Sequence, residues 1–88
     1  MMDNTNDTFP VSDGIHSDIV VVNRRMEIDT QSGLSTILIP EIVAITKHLP
    51  HDFTNVDVHM KSGTVFSIPN VTPEYYETLN EIWVRYLE

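Results

Sequence analysis

The sequence predicts a small α+β domain. Four or five mostly antiparallel strands should form a sheet or a small open barrel, and a C-terminal amphipathic helix should pack on it. Three patterns carry this prediction: a β-branched run at 19–22, a strict apolar–polar alternation at 56–61, and an apolar stripe at helical spacing from residue 75 onward. With no cysteine in 88 residues, disulfides and thiolate metal sites are excluded, which leaves self-association as a common way to stabilise so small a core.

The N-terminal residues are predicted to form a flexible acidic tail over 1–17, followed by one domain over 18–88. Apolar residues are few in this tail, and its polar and turn-forming members are Asp3, Asn4, Asn6, Asp7, Pro10, Asp13 and Gly14. Such a composition cannot bury enough surface to offset the ordering entropy of the chain. The exception would be docking of Phe9 and Val11 on a partner.

The first half of the domain is predicted to contain a hairpin. Residues 18–28 should form one long strand, kinked or bulged near Asn23, and 34–39 should form the second strand after a loop of about five residues. Pro40 ends that strand because it has no N–H for a ladder. Residues 40–49 are predicted to make a single turn at 40–42 and then a strand through Lys47, with a short helix as the alternative.

The second half begins with a loop over 49–55 and continues with a second hairpin. Val56, Val58 and Met60 should face the core, whereas Asp57, His59 and Lys61 should face solvent. Ser62-Gly63 is predicted to be a two-residue turn, and 64–68 the returning strand.

The C-terminal helix is predicted from its start signals and its stripe. Thr72 is a candidate N-cap and Pro73 suits the first helical position. Glu81 and Arg85 are spaced for an ion pair. The stripe is expected to supply core or interface residues: Tyr75, Tyr76, Leu79, Trp83 and Tyr86.

The order of elements from Leu34 onward resembles the flagellar FlbD-type family of small domains. The resemblance covers residues 34–88 and rests on the proline turn Ile39-Pro40-Glu41-Ile42, the loop with Pro50, the hairpin of residues 58–63 and the final helix. It implies a strand-rich fold and a non-enzymatic, protein-associating role. The tail and the strand before Leu34 depart from the family pattern, and fold alone does not carry function.

The net charge of the chain argues against some classes of function. The net charge of −8, from 13 acidic and 5 basic residues, is unsuited to direct nucleic-acid binding, which needs a basic surface. No signal peptide or membrane-length apolar run is apparent, so a cytoplasmic location in a bacterial or host cell is expected. The leading hypothesis is a non-catalytic, homo-oligomeric accessory or virus-encoded protein. It would bind and modulate or inhibit a larger host protein, for example a nucleic-acid-handling protein recognised through charge mimicry.

An alternative hypothesis is a small-molecule binder. In an oligomer, Arg24, Arg25, His59 and Lys61 could hold a nucleotide or another phosphorylated ligand. As adjacent strand residues, the two arginines should face opposite sides of the sheet. The plainer interpretation is that these cations pair with Glu27 and Asp57 on an exposed face.

Catalysis and metal binding have weaker support. His48, His51, Asp52 and His59 are the candidate zinc ligands, but no second paired motif accompanies them. Ser32 and Ser62 precede glycines that turns explain, outside any strand–nucleophile–helix context. We therefore expect no catalytic residue, no metal and no cofactor; a metal-dependent enzyme is the third hypothesis.

Overall fold

The structure is a computed structural model that describes residues 6–11, 13–48 and 54–87. The described elements, in chain order, are β1 (Asn6–Phe9), β2 (Ile19–Val22), β3 (Arg25–Thr30), β4 (Gly33–Leu38), a 3₁₀ turn (Ile39–Glu41), β5 (Ile42–Lys47), β6 (Thr54–Met60), β7 (Val65–Val71) and α1 (Pro73–Arg85). The strands form two antiparallel sheets, β1-β2-β3-β4 and β5-β6-β7. The predicted α+β class is confirmed.

The described residues contain seven strands instead of four or five, partly because the long strand predicted over 18–28 is two strands. Asn23 and Arg24 have φ values of 52° and 63°, so they form a two-residue turn between Val22 and Arg25, which are cross-strand partners. Positive φ at both central positions is the type I′ geometry that suits a hairpin. The kink predicted near Asn23 is therefore a reversal of the chain.

The flexible tail predicted over 1–17 is wrong for the described residues of that segment. β1 pairs with β2 along its whole length, and Phe9 and Val11 are each only 8% exposed. The two residues dock on the protein's own core instead of on a partner. Residues 1–5 and 12 lie outside the described part of the chain.

Contacts with the C-terminal helix explain why this segment is ordered. The Tyr86 hydroxyl donates a hydrogen bond to the Asp7 carboxylate, and the Phe9 and Tyr86 rings meet edge to face at 6.3 Å. At the other end of the helix, the Thr72 hydroxyl donates to Asp13 over 2.7 Å. The N-terminal segment therefore contacts both ends of α1, and composition alone does not encode these long-range contacts.

The turns of the two predicted hairpins differ in length from the predictions. Thr30 pairs with Gly33, so the first hairpin has a two-residue loop instead of about five. In the second hairpin the Met60 N–H donates to the Thr64 carbonyl over 2.9 Å. Its loop therefore has three residues, 61–63, with Gly63 at a φ of 94°, the left-handed position of a three-residue hairpin loop.

The middle of the chain follows the prediction. A turn at Ile39–Glu41 precedes β5, which ends at Lys47, so the alternative of a helix is excluded over 42–47. Of the predicted loop 49–55, residues 49–53 lie outside the described residues, and Thr54 and Asn55 already belong to β6.

The helix packs the two sheets into one core. Thr72 caps α1 by accepting from the Tyr75 N–H over 3.2 Å, and Glu81 pairs with Arg85 at 3.1 Å; both were predicted. One continuous hydrophobic cluster joins both sheets and α1. Within the described residues, no helix is long and apolar enough to cross a membrane.

Candidate functional site

Among the described strands, the two sheets have four edges, and three of these edge strands carry features that block pairing with another chain. β1 has only four residues and includes a charged aspartate. β5 shifts register between Ile42 and Ala44 and ends in Lys47. β7 contains Pro69, and its register with β6 shifts beside Asn70, whose φ is 53°. Short length, bulges, charge and proline are the usual protections of sheet edges.

The fourth edge strand, β4, has none of these protections. Its sequence, Gly-Leu-Ser-Thr-Ile-Leu, has neither charge nor proline, and its register with β3 is unbroken over all six residues. An unprotected edge of this kind is a template for an additional strand.

Hairpin geometry fixes which backbone groups of β4 point outward. Thr30 and Gly33 flank a two-residue turn and therefore exchange hydrogen bonds, and pairs of this type alternate along an antiparallel ladder. The Ile39 N–H donates to the Arg24 carbonyl over 2.8 Å, in step with that alternation. The outward backbone groups consequently belong to Leu34, Thr36 and Leu38. β4 pairs only with β3 among the described strands.

A groove of about 310 Å³ runs beside this edge. β4 lines one wall, and the loop between β6 and β7 lines the other with Ser62 and Thr64. Met60 and Phe66 contribute apolar surface. The groove therefore offers apolar contacts next to unpaired backbone groups, a combination that suits an extended peptide.

The exposed face of the same sheet is also partly apolar. Leu34 is 69% exposed and Leu38 is 37% exposed, and β2 adds Val20 and Val22 at 36% and 40%. These residues share one face because the register places Val22 opposite Arg25 and Arg25 opposite Leu38. A strand added at β4 would extend this face.

The cations predicted as binding residues gather near the Leu38 end of β4. Arg25 is the cross-strand partner of Leu38, and Arg24 precedes it in the type I′ turn. The Lys61 N–H donates to the Glu41 carbonyl over 2.8 Å, which places Lys61 beside the 3₁₀ turn that follows β4. We call Arg24, Arg25 and Lys61 the basic end. It holds three of the five basic residues, with Glu41 as a neighbouring carboxylate.

The plainer interpretation was that these cations pair with Glu27 and Asp57. Only His59 acts in this way, since its charge helps to lower the pKa of Asp57. Within the described residues the Arg25 guanidinium donates only to the Asn23 carbonyl, at 3.4 Å, and neither Glu27 nor Asp57 is in an ion pair with an arginine or lysine. Both arginines are exposed, since Arg24 belongs to a turn and not to the strand.

Asp57 instead lies between two other side chains on the outer face of the three-stranded sheet. His48 Nε2 is 2.8 Å from Oδ2 of Asp57, and the Ser67 hydroxyl donates to Oδ1 over 2.8 Å. The hydrogen bond with His48 is the main cause that lowers the pKa of Asp57, and burial opposes it. Ser67 donates its proton to a carboxylate and not to an imidazole, so this is not the arrangement that activates a serine nucleophile.

His59, the fourth predicted binding residue, is held on the same outer face. Its Nε2 lies 2.9 Å from the Thr46 hydroxyl. Of the predicted zinc ligands, His51 and Asp52 lie outside the described residues. No cluster of three metal-ligating side chains occurs in the part of the chain that the structure describes.

The predicted helix residues all contact the core. Tyr75 and Leu79 are fully buried, whereas Tyr76, Trp83 and Tyr86 pack against the cluster at its margin. Trp83 has a buried indole N–H with no hydrogen-bond partner among the described residues.

Comparison with protein families, curated proteins and solved structures finds no match to this chain. The FlbD-type resemblance stays a prediction. The β4 edge was missed by the sequence analysis, although one signal for it was visible: residues 33–38 have neither charge nor proline.

Proposed function

We propose that this chain is a non-catalytic protein-interaction domain that binds an extended segment of a partner along β4. One observation carries the proposal: among the described edge strands, β4 is the one that lacks a charge, a proline, a bulge and a short length, and it lies beside a groove whose walls are partly apolar. Binding of this kind lets a small accessory protein attach to a larger one and modulate it without a reaction pocket.

The expected affinity is modest. Each backbone hydrogen bond between the ligand and Leu34, Thr36 or Leu38 contributes about 0.5–1.5 kcal/mol net. Burial of apolar area on the leucines and Phe66 adds about 25 cal/mol per Å². Immobilising the ligand offsets much of this sum, so we expect dissociation constants of about 1 μM to 1 mM for a short peptide.

A titration followed by NMR tests the proposal. The probe is an uncharged peptide, acetyl-Gln-Val-Thr-Val-Thr-Val-Gln-amide, which can only be recognised as a strand. We expect its addition at millimolar concentration to shift the amide signals of Leu34, Thr36 and Leu38. If these three signals do not move, or if the shifts centre on another edge strand, the proposal is refuted.

Two variants make the test specific to the edge. Thr36→Pro removes an outward N–H that makes no ladder bond, so the fold should tolerate it while binding is lost. Thr36→Lys places a charge on the edge and should also weaken binding. Thr36→Val keeps the N–H and is the matched control. Sedimentation of the free protein shows whether a second copy occupies the edge. If the protein is a dimer at low salt and the Thr36→Pro substitution makes it monomeric, the partner proposal is overturned.

The grouping of three cations also favours a second candidate function, binding of a phosphorylated small molecule at the basic end. This candidate predicts that ATP raises Tm in a concentration-dependent manner, and that Arg24→Gly abolishes the increase. If millimolar ATP leaves Tm unchanged, binding of a phosphorylated small molecule at the basic end is excluded.

A further inference from the structure

We infer that the β4 edge selects the direction and charge order of its ligand: it binds an antiparallel segment with an acidic residue near the N-terminal end and a basic residue near the C-terminal end. The inference rests on the proposed function and adds the chemistry of the partner segment. It follows from the residues beside the two ends of β4, which carry opposite charges.

The end of β4 at Leu38 is basic. Arg25 and Leu38 are directly paired on one face, so their Cβ atoms are about 4.5–5.5 Å apart. On the other side of the groove, Lys61 adjoins Ser62, which lines the groove wall. A ligand carboxylate beside Leu38 would therefore have Arg25 on one side and Lys61 on the other. Two carboxylates lie nearby, those of Glu41 in the groove lining and of Glu27, which lines a shallow pocket with Arg25.

Arg24 has an unfavourable backbone conformation for a residue with a side chain. The type I′ turn prefers Asn followed by Gly, because both central residues need positive φ, and here Arg24 takes the glycine position with φ of 63°. A side chain in this conformation is strained. Its guanidinium makes no hydrogen bond or ion pair with any described residue. The Arg24 carbonyl accepts from the Ile39 N–H and holds the turn, so the guanidinium is available to a ligand carboxylate.

The end of β4 at Leu34 is acidic. Asp29 is the cross-strand partner of Leu34. Asp18 and Glu27 line the same small cavity of about 150 Å³ that Leu34 and Asp29 border. None of the described residues that line this cavity is a lysine or an arginine. A ligand lysine beside Leu34 would therefore be favoured there.

The direction of the ligand follows from sheet geometry. All pairs in both sheets are antiparallel, and antiparallel pairing is slightly more stable per residue than parallel pairing. A segment antiparallel to β4 begins opposite Leu38 and ends opposite Leu34. Its first residues then lie at the basic end and its last residues at the acidic end.

Two peptides of identical composition test this inference. The acid-first peptide is acetyl-Glu-Val-Thr-Val-Thr-Val-Lys-amide, and the base-first peptide exchanges Glu and Lys. Both have zero net charge, so the overall acidity of the protein affects them equally. We expect the acid-first peptide to bind about three- to tenfold more tightly in fluorescence anisotropy, a preference that falls as salt rises.

Variants of the basic end link the preference to these residues. Arg24→Gly should reduce the preference while it raises Tm by roughly 2–8 °C, because glycine relieves the left-handed strain. Lys61→Gln should also reduce it. Lys47→Gln is the charge-matched control, since Lys47 lies at the far end of β5, over the Tyr76 ring, and it should leave the preference unchanged.

The outcomes separate this inference from the proposed function. Equal affinities for the two peptides, or tighter binding of the base-first peptide, would overturn the charge order. Strand addition at β4 would still be supported if the uncharged peptide binds there. If no peptide binds at β4, the proposed function fails and this inference fails with it. A loss of Tm in Arg24→Gly would show that the arginine serves the fold instead of a ligand.

Discussion

Replacing Phe9 with alanine tests whether the N-terminal segment is part of the folded domain. Phe9 is 8% exposed, meets Tyr86 edge to face with an interplanar angle of 86°, and lies 5.2 Å below the Arg85 guanidinium. Truncation of a buried phenylalanine costs about 3–5 kcal/mol, and the ring contacts account for about 1 kcal/mol of such a loss. Because Phe9 lies on an edge strand that can relax around the cavity, we expect Phe9→Ala to lower the free energy of unfolding by about 3 kcal/mol, the lower end of this range.

That loss is large compared with the total stability. A chain of 88 residues is expected to have a free energy of unfolding of about 4–13 kcal/mol. A loss of about 3 kcal/mol should lower Tm by roughly 12–24 °C. Urea unfolding followed by circular dichroism at pH 7 measures the change. Phe9→Leu retains apolar volume and should cost only about 1 kcal/mol. A Phe9→Ala change below about 0.5 kcal/mol, as at an exposed site, would refute the docking of this segment and restore a flexible tail.

Three further predictions concern stability. Burial raises the pKa of Asp13, but hydrogen bonds from His16 and its neighbours outweigh it and hold the pKa well below its usual range. Stability should therefore be full above about pH 4 and fall as the pH drops below it. In urea titrations at pH 7 and pH 3, Asp13→Ala should reduce that acid dependence and leave the part due to Asp57, whose pKa is also lowered. Gly63→Ala should cost about 1 kcal/mol in the same assay, because its φ of 94° is unfavourable for alanine, although no described residue other than its chain neighbours has an atom within 4 Å of the new Cβ. A neutral result would argue against the left-handed loop. Thr72→Ala should cost about 1–2 kcal/mol, since it removes both the helix cap and the bond to Asp13; a loss below 0.5 kcal/mol, within the range of exposed sites, would contradict these contacts.

Local periodicity was enough to predict much of the fold. The alternation in β6 places Val56 and Val58 fully inside the core, and the N-cap Thr72 and Pro73 start the helix as predicted. These features depend on residues within a few positions of one another. Patterns of this range are what a single sequence encodes most directly.

The missed features depend on contacts between distant parts of the chain. The N-terminal segment is stabilised by the two ends of α1, through the Tyr86–Asp7 bond across 79 residues and the Thr72–Asp13 bond across 59 residues. The turn at Asn23-Arg24 was missed because arginine is unusual at a position that needs positive φ. The strand-like sequence pattern of β2 continues into β3, so the reversal of the chain between them was not apparent.

The candidate site was predicted in part. Arg24, Arg25 and Lys61 were chosen as rare basic residues in an acidic chain, and the structure brings them to one end of β4. His59 was grouped with them, but it bonds Thr46 on another face. The edge itself could not be predicted because the exposure of a strand's backbone depends on the sheet order, which the sequence does not state.

Net charge determines whether another copy of this chain competes for the β4 edge. Each copy carries a net charge of −8, so two copies repel each other at long range. β4 itself has no charged side chain, so the strands that would come into contact are neutral. Salt shortens the screening length from about 10 Å at 0.1 M to about 3 Å at 1 M. The predicted homo-oligomer should therefore form at high salt and dissociate at low salt, the reverse of an assembly held by ion pairs. Sedimentation velocity across this salt range, with Thr36→Pro as the control that prevents pairing, measures the effect. Association that weakens with salt, or that persists in Thr36→Pro, would show that copies meet through a surface other than β4.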